Sequence, residues 1–273
     1  MVDGMRDAVA DRVGGSVPVL LTPYGGPEAL FRLGEIEVDD AGASANSMNV
    51  GPWLVVDGRP AAGSLGVLMD DVLGQAVIGG RPEGHWAVTT ELTVDVCAPL
   101  PPRGGLYATG ELVSVDGAGG IARGTVRDDA GHLVAVGTTW SRFVPGLPDG
   151  VSSGVRGVRQ AAGDPAPHEL LDHTDDGIVI DARAEFGNPG GVVHGGVLTW
   201  VAELAARRLV GPSPLHTASI RTAYVRPALA PVTVVARIAH GGRAFTVVEV
   251  VAHARDGRPC TLATVTLRST SLG

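Results

Sequence analysis

The chain has 273 residues, 44% of them hydrophobic and 18% charged, which is enough apolar material for a sizeable core and rules out a disordered chain. All 21 positive charges are arginine and face 29 acidic residues, for a net charge of −8; a general nucleic-acid binder is therefore not expected, and an anionic ligand must find a local arginine cluster. No apolar run approaches the roughly 18 residues of a membrane helix, Asp3, Arg6 and Asp7 interrupt any secretory signal, and two cysteines, Cys97 and Cys260, cannot form a disulfide framework, so a cytoplasmic protein with reduced thiols is expected.

Forty glycines and 19 prolines imply many turns between short strands, hence a β-rich fold. In chain order, residues 63–76 form the first helix candidate. Runs over 89–96, 105–115, 120–128 and 132–144 read as strands, with a turn at Asp129-Ala130-Gly131. A Gly-, Pro- and Ser-rich stretch then divides the chain into an N-terminal domain at 20–145, a linker at 146–166 and a C-terminal domain at 167–273. Residues 194–210 are apolar around most of a helix circumference, which marks a buried helix. Strands follow over 217–225, 232–240, 244–254 and 260–268, with turn signals at Gly241-Gly242 and Asp256-Gly257. Connections this short favour antiparallel neighbours.

The two halves repeat one order of elements. Gly63 falls on Gly195 at an offset of 132, Pro99 on Pro227 at 128 and Gly131 on Gly257 at 126; at 128, Thr89 falls on Thr217 and Leu92 on Ile220. The expected fold is α+β, with an antiparallel sheet curled around one buried helix in each half.

The segment Asn188-Pro189-Gly190-Gly191-Val192-Val193-His194-Gly195-Gly196, continuing to Glu203 and to Thr217–Pro227, resembles the hotdog-fold acyl-CoA thioesterases of the PaaI-like type, whose Asn-x5-His-Gly-Gly motif opens the central helix. That resemblance implies two tandem hotdog domains docked side by side as a pseudo-dimer, with the C-terminal domain carrying the motif and the N-terminal one a degenerate version. It also implies an acid nine residues after the motif histidine, about two and a half turns along the helix. Glu203 holds that position in the second half; Asp71 holds it in the first if Ala62 stands for the histidine. A slip of one residue would exchange Asp71 for Asp70.

By the same resemblance each site is assembled across the seam. One site combines Asn188, His194 and Gly195 with Asp71 and Thr89; the other combines Glu203 and Thr217 with Gly63, and is vestigial because Val56 and Ala62 replace the asparagine and histidine. Plainer readings exist for each. The glycines could serve helix packing, Asn188 an ordinary Asn-Pro turn, and His194 a backbone cap. Chemically, a helix N-terminus presents free N–H groups to an oxyanion, and a carboxylate can activate water or attack a thioester.

The function implied is hydrolysis of an acyl-CoA thioester to free acid and CoA, with a non-catalytic acyl-CoA-binding or interaction module as the alternative. Arg221, Arg226 and Arg243 are candidates for the phosphates of coenzyme A, which enters as part of the substrate. No other cofactor is expected, and no Cys/His spacing suggests zinc. The expected partner is a small-molecule acyl-CoA rather than nucleic acid or a membrane, with a homodimer of tandem chains left open.

Overall fold

The computed structural model describes residues 26–146, 165–188 and 190–269; the expected start of the N-terminal domain, most of the linker and Pro189 lie outside them. A helical turn, α1 (Pro27–Leu30), precedes β1 (Glu37–Val38), β2 (Ser44–Val50) and the small hairpin of β3 (Val55–Val56) and β4 (Arg59–Pro60). Helix α2 (Leu65–Ile78) follows a 3-10 turn at Ala62–Ser64, and leads to β5 (His85–Val96), β6 (Gly104–Val115), β7 (Gly119–Asp128) and β8 (Leu133–Pro145). The second half has β9 (Asp172–His173), β10 (Ile178–Ile180), α3 (Gly195–Val210), β11 (His216–Tyr224), β12 (Val232–Gly241), β13 (Phe245–His253) and β14 (Pro259–Arg268).

All strands except β3 and β4 join one antiparallel sheet in the order β1-β2-β6-β7-β8-β5-β11-β14-β13-β12-β10-β9. The order reads the same from both ends once each strand is matched to its counterpart. At the centre β5 pairs with β11, Ile220 opposite Val94 and Thr222 opposite Leu92. The eight long strands and both long helices fall within a few residues of their expected bounds. The edge strands β1, β2, β9 and β10 and the turn α1 carry no strong periodicity, and sequence reading passed over them.

Both helices are buried on the same sheet. Leu68, Met69, Val72 and Leu73 of α2 and Val197, Trp200 and Val201 of α3 are all but inaccessible to solvent. Such helices are held by burial rather than by an amphipathic stripe. Phe31 stacks edge-on against Trp200 at 5.0 Å between ring centroids, so the segment after α1 packs onto the helix of the other half. The two helices cross closely at their N-terminal ends. A Cβ on Gly196 would lie 2.5 Å from the Val67 Cα, one on Gly66 2.7 Å from the Thr199 Cγ2, and one on Gly63 2.8 Å from the Trp200 Cα. Only a residue without a side chain permits this approach.

Helix α3 begins at His194, whose extended backbone and Nδ1, accepting from the Gly196 N–H at 3.1 Å, make it the N-cap. It ends at Gly211, where φ is +71°, a conformation glycine adopts without strain.

Candidate active site

The crossing places a carboxylate of each helix against the N-terminal turn of the other. Asp70 of α2 accepts from the Gly196 N–H at 3.0 Å, and Glu203 of α3 accepts from the Gly63 N–H at 2.9 Å and the Ala62 N–H at 3.2 Å. A threonine completes each arrangement: Thr89 Oγ1 donates to Asp70 Oδ1 at 2.9 Å, and Thr217 Oγ1 donates to Glu203 Oε1 at 2.7 Å. Both threonines stand at register shifts, Thr89/Glu91 in β5 and Thr217/Ser219 in β11, where a bulge turns a side chain out of the ordinary alternation.

These contacts correct the helix alignment by one residue. Gly63 corresponds to Gly196 and Asp70 to Glu203, both at an offset of 133, so Ala61 and Val55 hold the histidine and asparagine positions. Asp70, not Asp71, takes the threonine and the helix N–H. One residue is about 100° of helix rotation, which points Asp71 elsewhere, to the Asn46 Nδ2 at 2.7 Å. The offset of 128 that matched Thr89 with Thr217 agrees with these pairings.

A cavity of about 810 Å³ brings together Asp70, Asp71, Thr89, Asn188, His194 and Gly195. A Cβ on Gly195 would lie 2.7 Å from Asp70 Oδ2 and 3.1 Å from the Tyr224 ring, so the glycine admits the acid to the backbone. As the first residue of α3, Gly195 has no acceptor for its N–H within the helix. The Asn188 Oδ1 accepts from the N–H groups of Gly190 at 2.9 Å and Val192 at 3.3 Å, which fixes the loop and leaves the amide nitrogen as the group to meet a ligand. Both the turn and the site readings of Asn188 are thus compatible with its place.

His194 lies between two acids. Its Nδ1 is 3.6 Å from Asp70 Oδ2 and its Nε2 is 3.8 Å from Glu28 Oε1. Accepting the Gly196 N–H at Nδ1 puts the proton of the neutral ring on Nε2, toward Glu28. Asp71 retains some contact with solvent, yet desolvation, reinforced by the Glu28 charge and opposed by the Asn46 hydrogen bond, pushes its carboxyl up to about 7. Tyr224 donates to the Gly195 carbonyl at 2.8 Å; burial, then the Asp70 charge, raises its phenol well above the ordinary value.

Sequence reading missed Glu28, Asn46 and Tyr224 as site residues. Tyr224 stood in the strand quoted for the resemblance, and its even spacing from Ile220 and Thr222, which puts it on the buried face of β11, was the available signal; Glu28 and Asn46 sit in elements with no clear pattern. Of the arginines, Arg226 lines the cavity, as does Arg142. Arg221 lies in a groove on the sheet with Glu91 and Glu249, and Arg243 sits in the turn between β12 and β13; neither lines the cavity.

Around Glu203 the space shrinks to about 130 Å³. Arg207 closes it off from a second cavity of about 560 Å³, with its Nη1 3.8 Å from Glu203 Oε1 and its Nη2 donating to the Val56 carbonyl at 2.6 Å. Among the described residues no group of three or more His, Cys, Asp or Glu side chains is placed to hold a metal, and no helix is long and apolar enough to cross a membrane.

Residues 182–268 match the family model of the acyl-CoA thioesterase N-terminal domain. A search of curated proteins finds no match. Among solved structures, the 12:0-ACP thioesterase from Umbellularia californica is 12% identical, with 83% of this chain and 94% of that one aligned at a TM-score of 0.58. An acyl-ACP thioesterase from Bacteroides thetaiotaomicron is 13% identical over 83% and 98% of the two chains, at 0.55. A conserved hot dog-fold protein from Alicyclobacillus acidocaldarius is 14% identical over 93% and 100%, at 0.57. The chain has the hotdog fold, and its segment 182–268 is similar to the acyl-CoA thioesterase domain.

Proposed function

We propose that the chain hydrolyses acyl-CoA to free acid and CoA at one composite site between two tandem hotdog domains, with Asp70 as its carboxylate. The observation that carries this reading is the approach of Asp70 to the N-terminal turn of α3, 3.0 Å from the Gly196 N–H, at the edge of the large cavity. The Gly195 N–H, with the helix dipole behind it, stabilises the oxyanion formed from the thioester carbonyl. Asp70 activates water as general base or attacks as nucleophile, held by Thr89. Asn188 orients the substrate through its amide nitrogen, and His194 holds the turn through its cap. Arg226 is the remaining candidate, among the three arginines first singled out, for a CoA phosphate.

The second site is inactive in this reading, because Arg207 divides its space and neutralises Glu203. The division into domains at 20–145 and 167–273, and a cytoplasmic setting, belong to the same proposal. Thiol release from short, long and aromatic acyl-CoAs tests it. Turnover above the buffer rate with at least one of them is expected; release at the buffer rate with all of them would favour an acyl-CoA-binding module.

A further inference from the structure

We infer that Gly74 sets the length of acyl chain the cavity accepts, an inference that rests on the thioesterase reading of that cavity. Gly74 lies in the middle of α2, one turn beyond Asp70, where glycine is the poorest helix former after proline. No turn or packing contact requires it. A Cβ built on Gly74 meets nothing within 4 Å, whereas Cβ atoms on Gly63, Gly66 and Gly196 would meet helix or side-chain atoms within 3 Å. The open space beside Gly74 is the cavity itself, which the residue lines together with Asp70 and Asp71.

The other half shows what a side chain there does. At the offset of 133 fixed by Gly63/Gly196 and Asp70/Glu203, the counterpart of Gly74 is Arg207. Its side chain is about nine-tenths buried and stands between a cavity of about 130 Å³ at Glu203 and a second of about 560 Å³ along Arg208 and Gly211, whereas a single space of about 810 Å³ runs from Asp70 past Gly74 to Ile78. A helical side chain projects toward the turn N-terminal to it, so a residue at 74 grows toward the carboxylates and into the path of the bound acyl group. Ile78, one turn farther, and Leu198 of α3 also line this cavity, which gives the position an apolar setting suited to an alkyl chain. The missing side chain at 74 is therefore the feature that separates a continuous pocket from a divided one.

The test compares wild type with Gly74→Ala and Gly74→Leu on saturated acyl-CoAs of increasing length. Gly74→Ala should raise Tm by about 2 °C through helix propensity and keep turnover of the shortest substrate. Gly74→Leu should lower kcat/KM for the longest substrates by roughly tenfold or more, mainly through KM, while the shortest substrate changes little. An unchanged length profile in Gly74→Leu overturns the inference, as does an equal loss at every length. If wild type turns over no acyl-CoA, the thioesterase reading fails. The role of Gly74 is then decided by calorimetric affinities for the same series: a cut-off that moves to shorter chains in Gly74→Leu supports it, and coincident profiles or no binding by wild type contradict it.

Discussion

Adjacent carboxylates in one helix have been given opposite tasks by a rotation of about 100°. Asp70 accepts a helix N–H and a threonine hydroxyl, while Asp71 is held by Asn46 and has its proton retained to about 7. A carboxyl whose folded-state pKa lies above its unfolded value contributes stability fully present below the ordinary carboxylate range. That contribution is lost as pH climbs to about 7. Asp71→Asn keeps an acceptor for Asn46 and cannot ionise, so its Tm should exceed that of wild type at pH 8, with the gap closing toward pH 4. Thermal unfolding at the two pH values checks this; a gap independent of pH would mean that the Asp71 charge is not what burial opposes. The choice between the two acids was half legible in the sequence. The acids and the motif could be read, but their register could not, because aligning Gly63 with Gly195 instead of Gly196 moves every helix position by one. The glycine that touches the opposite helix is a property of the packed pair.

At the scale of elements, three glycines let two buried helices cross where their N-terminal turns can meet the acids of the opposite helix. Gly196 tolerates least, since a Cβ would meet Val67 Cα, Val67 N and the Gly66 carbonyl oxygen, all backbone, within 2.7 Å. Gly196→Ala should therefore cost about 1–3 kcal/mol, read as a lower denaturant midpoint, and should reduce activity by separating the Gly196 N–H from Asp70. A variant as stable as wild type would show that the helices can part without penalty. The long strands were legible because apolar and β-branched residues recur between Gly-rich turns; Thr89 and Thr217 share their offset of 128 because both stand at the same bulge. Strands β1, β2, β9 and β10 were not, since β2 and β10 are placed by β6 and β12, and β1 and β9 by β2 and β10 in turn, rather than by their own pattern. Glu28 was invisible for the same reason: a helical turn of four residues brings it to His194 only after Phe31 has packed on Trp200.

For the molecule as a whole, one sheet carries two like halves whose buried acids have different surroundings. Each retains an acid, a threonine and a close glycine, but one keeps a cavity with Asn188 and His194, and the other holds Arg207. Burying Glu203 with backbone N–H donors, Thr217 and an arginine satisfies a charge that would otherwise be costly so deep in the fold, which makes this contact a fastening between the two helices. Activity should consequently depend on one acid and stability on the other. The most direct test measures acyl-CoA turnover and Tm for Asp70→Ala and Glu203→Gln side by side. The account predicts a kcat lower by about a hundredfold or more for Asp70→Ala, and near-wild-type kcat with a depressed Tm for Glu203→Gln. Loss of turnover in Glu203→Gln, with Asp70→Ala still active, would place the chemistry in the divided site and contradict it.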